Sequence, residues 1–229
     1  MPRLLSAGHA VRVLHRKARS DEQTCRGDLL SGEGLEEAVD GVGTIVHCAT
    51  TNSRADVHGT RNLLRAAARA GRPHLIYVSI VGVDRVDIPY YRAKLACEQL
   101  VERSGLPWTI QRTTQFHDLI VWMCTSQRWL PVIVMPSGVS FQPVDAGEVA
   151  ARLADLAGAP PAGRMPDMGG PEVRFAVDLA RAYARSRSIR RPVVPVPMPG
   201  AAMRGYRAGR HLTPEHTDGR ITFDQYLTA

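Results

Sequence analysis

The sequence predicts an α/β protein built on a parallel sheet. Short runs rich in Val, Ile and Thr alternate along the chain with longer amphipathic stretches. The links between them are short and marked by glycine or proline. Hydrophobic residues make up 44% of the 229 positions, enough for one sizeable core or a core with an attached lobe. Strand and helix alternating in this way build βαβ units, in which each crossover returns the chain to the same end of the sheet.

Leu4 and Leu5 read as the end of a helix that Gly8 caps. Ala10–Leu14 is a short strand pattern, and Thr24-Cys25-Arg26 is an extended piece leading into Gly27-Asp28-Leu29. Leu35–Val39 fits a short helix, and Thr44–Cys48 an apolar strand of the buried parallel type. Asp56 is placed to cap a helix over Val57–Ala70; Leu63, Leu64 and Ala67 share one face, and Gly71 is its stop. Leu75–Val78 is the next strand. Tyr90–Ser104 is the next helix, with Leu95, Leu100 and Val101 inward and Gly105 and Pro107 at its end, and Trp108–Gln111 is again a strand. Beyond about residue 130 the chain becomes rich in Pro and Gly, with helices predicted over Ala146–Leu156 and Phe175–Arg185. This change divides the chain into residues 1–130 and a smaller lobe over 131–229.

Composition narrows the function. The formal charge is +7, but lysine occurs only at Lys17 and Lys94 and the remaining basic residues are all arginine. That skew reads as coding bias toward GC-rich codons rather than a phosphate-binding face, so no nucleic-acid partner is expected. The run Arg185, Arg187, Arg190 and Arg191 lacks interleaved aromatics and reads as a solvated helix end. Cys25, Cys48, Cys97 and Cys124 form no CxxC pair, which predicts free thiols in a reducing cytoplasm. The first residues carry no long apolar run, so no signal peptide is expected there. The apolar stretch from Leu119 to Met135 is broken by Ser126, Gln127, Arg128 and Pro131, so no membrane association is expected. His211 and His216 match no metal-ligand spacing, and no metal site is predicted. His117-Asp118 lacks an accompanying nucleophile motif.

Seven local patterns then fall in order. They are Gly8-His9-Ala10-Val11-Arg12-Val13-Leu14 followed by Arg16; Gly27-Asp28-Leu29; Val46-His47-Cys48-Ala49-Thr50; Gly59-Thr60-Arg61-Asn62-Leu63-Leu64; Val78-Ser79-Ile80-Val81-Gly82-Val83-Asp84; Tyr90-Tyr91-Arg92-Ala93-Lys94 followed by Glu98; and the run from Trp108 through Thr113 and Thr114 to Phe116. Together they resemble the NmrA-like, atypical branch of the short-chain dehydrogenase/reductase superfamily over most of residues 4–145. The resemblance implies a Rossmann-like doubly wound parallel sheet that binds NAD(P), with residues 131–229 as a small C-terminal substrate lobe. It also implies a first strand and a Gly-rich turn that would hold the pyrophosphate at a helix N-terminus. Nothing before Leu4 supplies them, and Pro2-Arg3-Leu4-Leu5 resembles the back of that first helix. We expect a start assigned too late, at a valine GTG codon inside that helix; the mass of the native protein tests this.

Residue roles follow from the resemblance. Tyr90 and Lys94, one helical turn apart, match the family's Tyr-x-x-x-Lys pair, in which Lys holds the nicotinamide ribose and lowers the Tyr pKa, and Tyr moves the proton. Ser79 is expected to hydrogen-bond a substrate carbonyl. Arg16 and Lys17, where an acidic residue would select NAD, suit the 2′-phosphate of NADP, with NAD as the alternative. Asp28 and Leu29 are expected at the adenine, although Asp28 equally fits a plain turn. Ala49 and Thr50 belong to the ribose-side turn, and Thr113 and Thr114 border the nicotinamide. Phe116 fits either that border or the core. Trp122, Met123 and Trp129 read as core in preference to a pocket lining. The expected activity is NADP-dependent reduction of a small carbonyl, enone or quinone-type compound. The alternatives are a non-catalytic redox sensor or a fragment without cofactor affinity. A small-molecule substrate is the expected partner, and the oligomeric state is open.

Overall fold

The computed structural model describes residues 1–17 and 23–228. In chain order the elements are α1 (Pro2–Ser6), β1 (Val13–His15), β2 (Thr24–Arg26), α2 (Leu35–Val39), β3 (Thr44–His47), α3 (Ala55–Arg69), β4 (His74–Ile80), α4 (Pro89–Glu102) and β5 (Trp108–Thr113). There follow α5 (His117–Thr125), β6 (Ile133–Pro136), β7 (Ser140–Phe141), α6 (Ala146–Ala157), β8 (Gly163–Arg164), β9 (Arg174–Phe175), α7 (Ala176–Ser186), β10 (Val193–Val196), α8 (Ala201–Arg207) and α9 (Phe223–Thr228). The chain gathers into two compact units. One comprises residues 1–79, 89–111 and 150–165; the other comprises 80–88, 112–149 and 166–229.

The first unit carries the expected α/β architecture. Its sheet runs β3-β4-β5-β8, with β3 parallel to β4 and β5 parallel to β8. The apolar strands fill this sheet because helices shield it: Leu75, Tyr77 and Ile110 join Leu63, Leu64 and Ala67 of α3 and Cys97 and Val101 of α4 in one buried cluster. Each fully buried aliphatic side chain of this kind contributes about 2 kcal/mol. α3 stops at Gly71, whose φ of +83° lies in the left-handed region that only glycine enters without strain. α4 opens on Pro89, whose fixed φ suits a first helical position.

β1 and β2 pair in parallel with each other, in a separate two-stranded sheet. Among the described residues β1 and β3 therefore each carry ladder partners on one side only. Val13, Leu14, His15, Ile45 and Val46 are all half-buried, whereas Leu75, Ile76 and Ile110 are fully buried. These two edges are where the family resemblance places its first strand.

The second unit packs α5, α7 and α9 with β6, around a cluster including Ile120, Cys124, Ile133, Met135, Leu179 and Phe223. Here β6 pairs in parallel with β10, far along the chain, and neither strand is foreseen by local pattern. α5 is also unforeseen. It buries Ile120 and Cys124, four residues apart, which turns Trp122 outward at 63% exposure. Trp129 is 83% exposed, with the Arg128 guanidinium 4.9 Å from its ring centre. The core reading of both tryptophans is thus corrected, while Met123 does pack on the cluster. Phe116, at 36% exposed, is not a core residue. Among the described residues no helix is long and apolar enough to cross a membrane.

Candidate functional site

In the first unit the carboxyl end of β3 runs into the turn 48–54, and α3 begins at Ala55. Asp56 does not cap this helix as expected. It lies in the first turn, only 8% exposed, and its carboxylate reaches back into the preceding loop. Asp56 Oδ1 accepts from the Thr51 N–H and the Thr51 hydroxyl, each at 2.6 Å, and Oδ2 accepts from the Thr50 hydroxyl at 2.6 Å. Burial alone would raise this carboxyl, but the bonds from Thr50 and Thr51, with the charge of Lys94, hold it below the ordinary carboxylate range. The Tyr90 Oη, from the first turn of α4, lies 3.5 Å from Thr50 Oγ1.

Lys94 follows one turn further along α4. It is 4% exposed; its Nζ donates to the Val78 carbonyl at 2.6 Å and lies 4.2 Å from the Tyr77 ring centre. Burial lowers the Lys94 pKa, against the opposing pull of Cys97, Asp56, Cys48 and Glu98. The Tyr90 phenol is raised rather than lowered, chiefly by burial, with Asp56 and Cys97 adding to it and the Thr50 contact opposing. Lys94 is not among the causes of the Tyr90 shift, and its amine is engaged by Val78 and Tyr77. Ser79, next along β4, is 1% exposed, and its hydroxyl has no hydrogen-bond partner among the described residues.

Behind these groups lies a polar chain that pattern reading did not single out. His47 Nε2 sits 3.1 Å from the Thr60 hydroxyl, which donates to Cys97 Sγ at 3.4 Å, and the His47 ring is 5.3 Å from that of Tyr77. Burial, reinforced by Lys94, brings the His47 pKa down to about 4. The only sequence signal for this chain was a histidine inside an otherwise apolar strand.

The other predicted residues are placed as follows. Arg16 and Lys17 are exposed directly after β1. Asp28 Oδ1 accepts from the Leu30 N–H at 2.8 Å, the turn-forming role left open above, and Leu29 packs on the first unit's core. Ala49 is exposed beside Thr50. Thr113 and Thr114 are buried in the second unit, where the Thr114 hydroxyl donates to the Gln142 carbonyl at 2.5 Å. Nearby in sequence, Gln115 is 8% exposed, and neither polar atom of its amide has a partner among the described residues. Thr50 and Tyr90 are thus brought into contact, and Lys94 is held against Val78, next to Ser79 in β4. The second unit also holds a cavity of about 390 Å³ lined by Arg85, Asp87, Arg204 and Arg210 with Ala201, Gly205 and Ala208.

The model of a family described as NAD(P)H-binding matches residues 1–119. An uncharacterized protein of Mycobacterium tuberculosis is 29% identical over 146 residues, 59% of this chain, and the match spans only 15% of that relative's length. A (4-alkanoyl-5-oxo-2,5-dihydrofuran-3-yl)methyl phosphate reductase of Streptomyces griseus is 30% identical over 201 residues, covering 80% of this chain and 67% of that protein. The NADPH complex of an NADPH-dependent quinone oxidoreductase from Escherichia coli has the same fold, with a TM-score of 0.82 at 14% identity over 99% of this chain and 93% of that one. Citrobacter triphenylmethane reductase complexed with NADP(H) aligns with a TM-score of 0.70 at 17% identity, over 98% and 88% of the two chains. With a parallel sheet of the NAD(P)-binding reductase type and a family match over more than half its length, the chain belongs to the NAD(P)H-binding family.

Proposed function

We propose that the protein is an NADP-dependent reductase of a small carbonyl, enone or quinone-type compound. One observation carries this reading: Ser79 keeps a buried hydroxyl without a hydrogen-bond partner among the described residues, in a unit that also holds Tyr90 and the buried amine of Lys94. A buried hydroxyl left unsatisfied costs on the order of 1–3 kcal/mol, so a site that keeps one is suited to a ligand that completes it. These residues fit the nicotinamide end of a dinucleotide. Lys94 would hold the ribose, Ser79 would donate to the substrate oxygen, and Tyr90 would deliver the proton there. When bound, the reduced nicotinamide supplies the hydride. Arg16 and Lys17, exposed after β1, favour the 2′-phosphate of NADP. The four cysteines are all free thiols, which suits a reducing cytoplasm.

The substrate class draws support from the Streptomyces griseus relative, whose name describes an alkanoyl dihydrofuranone carrying a methyl phosphate. The test is NADPH consumption against a panel of quinones, aldehydes and enones, with Tyr90→Phe and Lys94→Ala as controls. Consumption that both substitutions abolish supports the reductase. NADPH binding without consumption across the panel would favour a dinucleotide sensor instead, and absence of binding would overturn both readings.

A further inference from the structure

We propose that the side-chain amide of Gln115 recognises a carboxamide on a bound ligand, pairing with it edge to edge through two N–H···O hydrogen bonds. The inference rests on the reading of the protein as a dinucleotide-dependent reductase, in which a carboxamide comes from one of two sources, the nicotinamide ring or the substrate.

Gln115 lies in the second unit, in the turn between the carboxyl end of β5 and the start of α5. The carboxyl ends of parallel strands are where α/β proteins bind ligands. The backbone of this turn is clamped. The Thr114 N–H donates to the Met168 carbonyl at 2.9 Å, the Val144 N–H donates to the Gln115 carbonyl at 2.9 Å, and the His117 N–H donates to the Val144 carbonyl at 3.2 Å. The Thr114 hydroxyl is also engaged, donating to the Gln142 carbonyl and accepting from the Gly170 N–H at 3.4 Å. The backbone of Gln115 is thus fixed by its neighbours and does not depend on its own side chain.

A second glutamine of the same unit shows how this fold satisfies an amide that it uses structurally. Gln142 is 0% exposed. Its Nε2 donates to the Gly170 and Thr213 carbonyls at 2.9 and 3.1 Å, and its Oε1 accepts from the Thr213 N–H at 2.9 Å. Gln115 is 8% exposed, and among the described residues neither its Oε1 nor its Nε2 has a partner. An amide brings two donors and two acceptor lone pairs, and leaving them buried and bare is costly. A methionine or leucine would fill the same space without that cost. His117, two residues on, repeats the feature. Its Nε2 lies 3.1 Å from the Ile221 carbonyl and so carries the hydrogen, which leaves Nδ1 as an acceptor without a partner among the described residues. Unused hydrogen-bonding capacity is therefore concentrated in one clamped turn.

The chemistry of the amide selects its complement. It offers a donor and an acceptor side by side in one plane. A ketone or aldehyde oxygen takes the donor and leaves Oε1 bare. A primary carboxamide satisfies both: its oxygen accepts from Nε2, and its own N–H donates to Oε1. A site built on that pairing discriminates against the isostere in which methyl replaces the amide nitrogen, because one buried polar atom is then left unpaired.

The test compares carboxamides with methyl ketones of the same shape, by calorimetry on the full chain. One pair is NADP and its acetylpyridine analogue. The other is cinnamamide and benzalacetone, free compounds standing in for the substrate. In one pair the carboxamide is expected to bind at least about tenfold more tightly, and the pair that shows this identifies the source. Gln115→Met keeps the shape and removes both polar atoms. The preference is then expected to shrink to within about twofold, with the affinity for the methyl ketone little changed. The thermal midpoint of Gln115→Met is expected to match or exceed that of the wild type, which a glutamine held by protein contacts would not allow. The proposal is overturned by the absence of a preference in both pairs, by a preference that survives Gln115→Met, or by a clear fall in the midpoint. If neither dinucleotide binds, the reductase reading fails, and the free pair still decides the role of Gln115.

Discussion

Lys94 Nζ and the Val78 carbonyl oxygen are joined at 2.6 Å, which buries an amine on a backbone acceptor instead of on a carboxylate. Burial depresses the lysine, so its charge is a cost to the fold and is offset only in part by this bond and the Tyr77 ring. Lys94→Met keeps the stem and removes the charge. We expect its thermal midpoint to match or exceed that of the wild type. NADPH affinity is expected to fall at least tenfold, about 1.4 kcal/mol. Calorimetry and fluorescence titration of the same preparation would separate the two effects. A variant that melts much earlier and still binds NADPH normally would make Lys94 a packing residue.

Two of the four buried histidines, His47 and His211, set an acid limit. Burial is the chief cause in both cases, holding His47 in the first unit and His211 in the second at about 4. In the unfolded chain each returns to its ordinary value near 6.5. Between those values the unfolded state binds protons that the folded state refuses. The stabilisation is therefore complete above about pH 6.5 and drains away as the pH falls toward 4, by about 3 kcal/mol per histidine. Urea unfolding midpoints should fall steadily from pH 7 to 4.5. His47→Gln, which titrates nowhere in that range, should show a clearly shallower fall. Equal slopes for the two proteins would mean that His47 protonates without unfolding anything.

Cofactor choice is expected to sit at Arg16. It is exposed at the end of β1, where a guanidinium can grip a 2′-phosphate with two parallel bonds. Arg16→Glu offers a carboxylate to the unmodified ribose hydroxyls instead. The ratio of NADPH to NADH affinity should drop at least tenfold, with NADH binding kept or improved. An unchanged ratio would remove Arg16 from the site.

How far the sequence revealed these features depended on whether their cause was local. β2 and α2 fall on the predicted residues, and α3, β4, α4 and β5 lie within a few positions of expectation, because hydrophobic period and glycine or proline stops act over a few residues. β6 and β10 escaped because each is four residues long and finds its partner some sixty positions away. Trp122 was misjudged because composition favours a buried tryptophan, whereas the spacing of Ile120 and Cys124 decides which face of α5 turns inward. In the site, Tyr90 and Lys94 were legible from their helical spacing. Asp56 was seen only as a cap, since nothing in a linear pattern says that a carboxylate will turn back onto Thr50 and Thr51.

A last expectation concerns the loop that follows β4. Arg112, at the end of β5, has a side chain only 3% exposed, and its Nη1 lies 3.0 Å from Asp84 Oδ2. Removing one partner of such a pair leaves a buried charge short of its counter-ion, a loss that reaches about 3–5 kcal/mol when both groups are buried. Asp84 is 39% exposed, so water can compensate part of it. We therefore expect Asp84→Ala to cost about 2 kcal/mol in urea unfolding and Asp84→Asn less, since the amide oxygen still accepts from the guanidinium. Arg112→Leu, which replaces the buried cation with a hydrophobic side chain, should recover part of the loss when combined with Asp84→Ala. If the double variant is less stable than Asp84→Ala alone, Arg112 is held by its other contacts, and the pair does not tether this loop.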